Sequence, residues 1–433
     1  MINRIIGKGA VIWERIGLSK LVTQHSTLAR FSLMSTANQI CTMLAGIVII
    51  AWVTPGELGI WKSVQIIQSY AAIAQAGVVH GLNRELPFRV GRGDNTVIRL
   101  ASTAQTFTFC VVSVLLVIAF SSLLFPFNVM VRFSLFAIFV MAAISTYENY
   151  LYVTYRADQG FDKLSKINMY MAFLELASLS LVYFIGYYGI PIRLMLLGLI
   201  RIVALHITRP MHSSISFDRQ DFKTLLKIGV PLFICGYLNQ TAYTFPNMII
   251  LFNSGTQLVG VLAPALSVFG LMTLLPGSIS QYVYARMSFR FGQTGDLNLM
   301  WAHAWKTSLG TLAMSVPIVI FVFFAYPPLV SFFFPKYSES IPAVIWISLA
   351  GLFYGSQMAS SALNSIKAWR WIFVLTVSRL LLAFILPFAG YYIMKKNPLV
   401  GVSVGYAMAG LLSFIVCLGC AYFATHPKTN KVG

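Results

Sequence analysis

Charge is scarce in this sequence. Of 433 residues only 10% are Asp, Glu, Lys or Arg, and the acids number just 12. A soluble domain carries ~25% charged residues, so this chain cannot clothe a water-facing globule of its length. Cysteine is equally sparse: Cys41, Cys110, Cys235, Cys417 and Cys420 all fall inside apolar stretches, which excludes a disulfide framework. Cys417-x-x-Cys420 has no second pair or neighbouring His, so it reads as two small apolar residues on one helix face rather than a metal or redox pair. There is no GxxxxGK[ST] loop, no HExxH and no Gly-rich nucleotide fingerprint, which disfavours an ATP-driven pump and leaves no cofactor, metal or catalytic residue expected. Nor does any polar loop exceed roughly twenty residues, too little for a separate domain.

Long apolar runs take the place of what is missing. Hydrophobic residues make up 58% of the chain, and the mean hydropathy is +0.77. A membrane-spanning helix needs ~20 mostly apolar residues. Such stretches are expected at 28–53, 58–82, 101–125, 131–153, 165–187, 190–208, 225–253, 258–284, 302–326, 340–366, 371–393 and 399–424. The expected fold is an all-α polytopic membrane protein with about 12 transmembrane helices.

The net charge of +19 would suggest nucleic acid if it lay on one wet face. Instead Lys and Arg gather in alternate connections, so no nucleic-acid partner is expected. Basic groups occur at Arg84/Arg89/Arg92/Arg99, Arg156/Lys163/Lys166, Arg209/Arg219/Lys223/Lys227, Arg286/Arg290/Lys306, Lys367/Arg370 and Lys428/Lys431. The positive-inside rule makes these connections and both termini cytosolic. Lys395-Lys396 is the one violation. Residues 1–27, with Arg4, Lys8, Arg15 and Lys20, read as a retained cytosolic segment rather than a signal peptide.

The chain also resembles itself. Adding 201 to the residue number carries Asn38-Gln39 onto Asn239-Gln240, Gly59 onto Gly260, and Phe88-Arg89-x-Gly91 onto Phe289-Arg290-x-Gly292. Leu124-Phe125-Pro126 answers Phe333-Phe334-Pro335 at the end of the third span of each half. The division expected is a cytosolic segment 1–27, a six-helix half 28–208, a cytosolic linker 209–224, a second half 225–424 and a tail 425–433. Six spans is an even number, so the halves are parallel repeats, an arrangement that puts a transport path at the repeat interface and hence around a central cavity. The intramembrane amides Asn38, Gln39, Asn239 and Gln240 either line that cavity or glue helices together. Pro231, Pro246, Pro264 and Pro276 crowd the seventh and eighth spans and invite bends there.

With these features in place, the chain resembles the multidrug/oligosaccharidyl-lipid/polysaccharide exporter superfamily, and within it the Wzx-type O-antigen flippases. The resemblance spans nearly the whole chain. Its motifs are Pro55-Gly56-Glu57-Leu58-Gly59-Ile60-Trp61, Ala76-Gly77-Val78-Val79-His80-Gly81-Leu82-Asn83-Arg84, Lys227-Ile228-Gly229-Val230-Pro231, and the turns Gly91-Arg92-Gly93-Asp94 and Gly292-Gln293-Thr294-Gly295-Asp296. It implies a non-enzymatic protein of the bacterial inner membrane. The implied task is flipping undecaprenyl-pyrophosphate-linked oligosaccharide repeat units to the periplasmic leaflet by alternating access, for O-antigen or lipopolysaccharide assembly. The implied partners are that lipid-linked substrate, membrane lipids, a polysaccharide polymerase and a coupling ion, proton or sodium.

Charges buried in a bilayer are expensive and mark function by default. Glu148, Glu175, Arg201 and Arg379 sit deep in predicted spans, while Lys62 and Arg193 sit near span ends, where snorkelling accounts for Arg193. For a pyrophosphate substrate, Arg201 and Arg379 are the expected ligands, since Arg bonds phosphate bidentately; Lys62, Asn38, Gln39, Asn239 and Gln240 are further cavity candidates. Glu148 and Glu175 are candidates for coupling or ion pairing. An offset of 204 makes Glu175 and Arg379 equivalent, so they either meet across the pseudo-twofold axis or neutralise local neighbours. Glu148 could pair with Arg156. Tyr147, Tyr150, Tyr152 and Tyr155 fit an interfacial aromatic belt.

Three other readings stay open. A cation-exporting antiporter of the same superfamily usually carries a carboxylate in its first helix, and this first span has none. A major-facilitator sugar symporter needs an Asp where Phe88 stands. A polysaccharide polymerase or ligase usually exposes one large periplasmic loop, which is missing here.

Overall fold

The computed structural model describes residues 30–426 except Ser32. The segment 1–27, the end of the tail, the side chain of Arg286 in a basic connection, and the side chains of Phe289 and Arg290 in the repeat lie outside the described residues. Every regular element among the described residues is helical. The helices are α1 (Leu33–Trp52), α2 (Pro55–Ala71), α3 (Val78–Arg92), α4 (Val97–Ser122), α5 (Val129–Ala157), α6 (Phe161–Ala177), α7 (Leu179–Ile185), α8 (Gly189–Ile207), α9 (Arg219–Ser254), α10 (Thr256–Thr294), α11 (Leu297–Phe333), α12 (Ile341–Gly355), α13 (Ala359–Ser365), α14 (Trp369–Ile393) and α15 (Pro398–Thr425). Because α2–α3, α6–α7 and α12–α13 each make one interrupted crossing, these helices account for the twelve expected spans.

Nine stretches of the described helices are long and apolar enough to cross a membrane, and Phe161–Ile207 holds two crossings. The crossings that fall short are α2–α3 and α9. The two pack on each other where α3 lies along α9, while α2 lies along α10.

Local sequence explains where the helices start. Thr54 and Glu57 form a reciprocal capping box: the Thr54 N–H and hydroxyl donate to Glu57 Oε2 at 2.9 and 2.7 Å, and Pro55 follows at the first helical position. Asp218 opens α9 by accepting from the amides of Gln220 and Asp221, and Asp296 opens α11 in the same way. These backbone donors hold the Asp218 carboxyl below its usual range. The α2–α3 interruption runs through a 3₁₀ turn, Ala72–Gln75, to Ala76 and Gly77, both left-handed.

Two cores merge at one end of the bundle and separate at the other. A shared core joins Val53, Trp61, Tyr187 and Ile190 to Ile250, Leu262, Tyr337, Ile347 and Tyr406 at the end where α2 and α10 begin. Toward the opposite end, where α1 begins and α15 finishes, one core gathers α3, α4, α5, α6 and α8 and another gathers α10, α11, α13, α14 and α15. Helix α9 bridges them, because Leu225 in its first turns belongs to the first core while Ile249 and Ile250 belong to the shared one. Cys417 and Cys420 are buried free thiols of the second core, as small apolar residues would be.

The sequence places an aromatic belt at the end of α5, and the structure corrects it. Tyr147, Tyr150 and Tyr155 are buried, and their hydroxyls bond His206 Nδ1 (2.7 Å), Ser213 Oγ (2.9 Å) and Thr208 Oγ1 (2.6 Å). They clamp the end of α8 and the linker, because a phenol buried among helices must find a polar partner.

Candidate functional site

Three polar cavities open among the described residues, the first lined only from residues 31–201 and the other two from both sides of the linker. The first, about 470 Å³, is lined by Phe31, from α1 by Ser35, Asn38 and Gln39, from the second crossing by Gln75, Val79, His80 and Asn83, from α5 by Asn149, Tyr152, Val153 and Arg156, and by Asn168 and Arg201. The spacing explains the shared face: Asn149, Tyr152, Val153 and Arg156 stand at i, i+3, i+4 and i+7, one stripe of a helix. Six amides converge here, together with Tyr152, whose hydroxyl reaches Asn168 Oδ1 at 3.4 Å. Asn38 Oδ1 is buried without a partner.

The second cavity, about 600 Å³, is lined by Arg84, Leu232, Ser280, Tyr284, Ser360, Ser361, Asn364, Lys367 and Trp369. Like the first, it lies toward the end that carries the start of α1. A third, about 230 Å³, lies closer to the joined end, between α2, α9 and α10, lined by Lys62, Gln65, Ser69, Thr244, Asn247 and Ser267 among others. Lys62 is therefore a half-buried cavity residue rather than an interfacial one. Among the described residues no carboxylate lines any of the three cavities, and the charged residues that do are Arg156 and Arg201, Arg84 and Lys367, and Lys62.

The intramembrane charges find partners that the half-to-half offset does not suggest. Glu175 pairs with Arg193, and both side chains are under 10% exposed. Arg193 also donates to Ser178 Oγ at 2.7 Å and to the Glu175 carbonyl at 3.1 Å. Snorkelling thus fails for Arg193: its hairpin partner lies one crossing back, and pairing inside the protein replaces the route to water. Glu148 pairs with Arg201 at 3.3 Å, not with Arg156, and that leaves Arg156 lining the cavity.

Arg379 does not meet Glu175. Its guanidinium donates to Asn239 Oδ1 at 2.8 Å and to Gln357 Oε1, while Gln357 Nε2 donates to Ser413 Oγ at 3.1 Å. Arg379 lines none of the three cavities, and no carboxylate among the described residues lies within 4 Å of it. The paired asparagines have diverged accordingly: Asn38 faces the first cavity and Asn239 is engaged by Arg379. Gln39 lines the first cavity, whereas Gln240 is exposed and lines none of the three.

On the side of the split end, the first turn of α9 is tied to the first core by charge. Asp221 accepts from Arg89 Nη1 at 3.0 Å and Arg99 Nε at 2.8 Å, and Arg89 also bonds Glu85 at 3.0 Å. Sequence reading passed over Gln75, His80, Asn83, Asn149 and Asn168 as well as Arg84, Lys367 and Gln357. The helical-stripe spacing of the polar residues on α3 and α5 is the signal that could have found His80, Asn83 and Asn149.

No protein-family model and no curated relative matches the chain in sequence. Solved structures match its fold. An inward-facing multidrug resistance MATE family transporter of the MOP superfamily is 14% identical with a TM-score of 0.67, over 93% of this chain and 99% of that one. The lipid II flippase MurJ in an inward closed conformation is 15% identical with a TM-score of 0.70, over 90% and 86%. A MOP superfamily transporter from Pyrococcus furiosus, whose binding pocket is described as having reverse polarity, is 15% identical with a TM-score of 0.64, over 93% and 96%. The fold is therefore one shared by drug transporters and a lipid flippase.

Proposed function

We propose that this protein flips an anionic, polyprenyl-pyrophosphate-linked oligosaccharide across the bacterial inner membrane, as a Wzx-type flippase does. The observation that carries this reading is the sign of the cavities: every charged residue lining them is basic. A cation exporter needs an acid facing its cargo, and the acid next to the first cavity, Glu148, is already paired with Arg201. Hydroxylated sugars instead suit the amides and Tyr152 of the first cavity, where each amide both donates and accepts. Moving hydrated sugar and phosphate through hydrocarbon unaided is prohibitive, so the head group travels through the polar seam while the lipid tail stays in the bilayer.

In this reading residues 28–208 and 225–424 act as two repeats that rock against each other, with both termini cytosolic. The present state has its split end toward the cytosol, where the substrate is made. Lys62 lies further along the route and would receive the head group as the joined end opens. Proton coupling, if used, would run through Glu148 and Arg201, whose side chains are 17% and 21% exposed beside the first cavity.

Deleting the gene tests the reading in cells. Lipid-linked repeat units should accumulate inside while surface polysaccharide disappears, in a strain without a second flippase. Normal surface polysaccharide in that strain would reject it.

A further inference from the structure

We infer that the second half holds a small monovalent anion of the halide class, chloride above all, against Arg379 in its interior. The site is separate from the three cavities and does not depend on which cargo moves.

The charge balance of the second half calls for a partner from outside the chain. Residues 225–424 contain two acids, Asp296 and Glu339. Asp296 caps the start of α11, and Glu339 stands in the turn between α11 and α12, so neither lies inside a spanning segment. Arg379 sits midway along α14, with no carboxylate among the described residues within 4 Å. Arg193, Arg201 and Arg89 of the first half each meet one. The amides of Asn239 and Gln357 accept from Arg379 but carry no charge, and an uncompensated cation at mid-membrane depth is expensive. Cys417 does not supply the charge, because its thiol donates to the Gln357 carbonyl at 3.9 Å.

Donors without acceptors gather at the same place. Seven buried side-chain atoms among the described residues lack a hydrogen-bond partner, and three of them are Arg379 Nε, Tyr354 Oη and Tyr406 Oη. They come from three helices, α14, α12 and α15. Tyr354 and Tyr406 are 5% and 1% exposed, and their ring centroids are 5.1 Å apart. Tyr243 of α9 completes the group, 5.5 Å from Tyr354.

Helical spacing sets this cluster against the guanidinium. Tyr243 follows Asn239 by four residues, and Tyr354 precedes Gln357 by three. Each tyrosine therefore stands one turn, about 5.4 Å, from an amide that holds Arg379. The charge of Arg379 is felt at both unpartnered hydroxyls. One guanidinium N–H and two phenol donors among aromatic ring edges suit a halide, which carries a single charge and has no directional lone pairs to satisfy. A phosphate needs more donors than these three supply.

An anion held here links α12, α14 and α15 through one point and neutralises the charge that α14 buries. Because it comes from solution, the stability of the second half becomes a function of halide concentration.

The test uses the purified full-length protein, with chloride replacing gluconate at constant ionic strength. Thermal melting and the linewidth of the chloride NMR signal are both followed. The melting temperature should rise saturably with chloride, bromide should substitute, and inorganic phosphate should not. Arg379→Gln should weaken the apparent chloride affinity about tenfold or more. Tyr354→Phe and Tyr406→Phe keep the rings and should each weaken it severalfold, so the test stands even if Arg379→Gln does not fold. Lys395→Gln, exposed at the joined end, should leave it unchanged. Identical melting in gluconate and chloride with no line broadening would overturn the site. So would a chloride response untouched in both tyrosine variants, or one abolished by Lys62→Gln or Arg84→Gln instead, which would place the anion in the cavities.

Discussion

Gly59 and Gly260, the residues related by the 201-residue offset, touch each other at the joined end of the bundle. A Cβ on Gly260 would lie 1.8 Å from Pro55 O and 2.8 Å from Gly59 N, and one on Gly59 would lie 2.0 Å from Thr256 O. Equivalent positions meeting in this way are what a pseudo-twofold axis between α2 and α10 produces. Only glycine lets the two backbones approach so closely.

Gly260→Ala should therefore push the joined end apart. With Lys62→Cys as reporter, labelling from outside by a membrane-impermeant maleimide should rise several-fold in Gly260→Ala. Gly270→Ala, where an added Cβ meets nothing within 4 Å, is the control. Equal labelling of all three proteins would mean that this contact does not close the path.

The Glu175–Arg193 pair should behave as a structural unit. Removing one partner leaves a buried charge uncompensated, which costs about 3–5 kcal/mol. Glu175→Gln or Arg193→Gln should each lower abundance and thermal stability, and replacing both with apolar residues should recover much of the loss. The exchange Glu175→Arg with Arg379→Glu should rescue nothing, because those two side chains do not meet. Rescue by that exchange would contradict the pairing described here.

Arg379 should act first on stability. It ties α9 to α14 and to the α12–α13 break through Asn239 and Gln357, and an arginine facing lipid would cost about 3 kcal/mol. Arg379→Ala should lower abundance and melting temperature. Arg379→Lys should recover little, since a single ammonium cannot fork between two amides as a guanidinium does. Wild-type abundance with transport lost would instead make Arg379 a substrate ligand.

Lys367 closes α13 at φ +55°, a conformation that glycine adopts without penalty, so Lys367→Gly should raise the melting temperature. Relieving a left-handed non-glycine residue is worth about 1 kcal/mol. A lower melting temperature would mean that the lysine side chain stabilises the protein by more than its backbone costs.

Much of the fold could be read directly from the chain. Apolar runs marked every crossing, whereas the break of the second crossing into α2 and α3 shows only in the folded helices. The repeat offset makes Gly59 and Gly260 equivalent, and only the packed bundle shows that they touch. For charge it leaves two outcomes open, and the local one holds: Glu175 pairs with Arg193 rather than Arg379. Ion pairing is decided by the nearest neighbour, and Glu175 and Arg193 face each other across the short α7–α8 hairpin. The tyrosines of α5 were misjudged for a related reason: a linear sequence shows their clustering, while only the packed bundle shows that their hydroxyls point inward. Arg84 and Lys367 passed as ordinary members of basic loops, because nothing in the sequence brings two loops of different halves to one wall.

The central claim is that an anionic lipid-linked oligosaccharide, not a cation, passes along the seam. Its most direct test is purified protein in liposomes, assayed side by side for translocation of a fluorescent polyprenyl-pyrophosphate oligosaccharide and for export of a cationic dye. The account predicts translocation of the lipid-linked sugar, weakened by Arg84→Gln, with no movement of the dye. Dye export without movement of the lipid-linked sugar would contradict it.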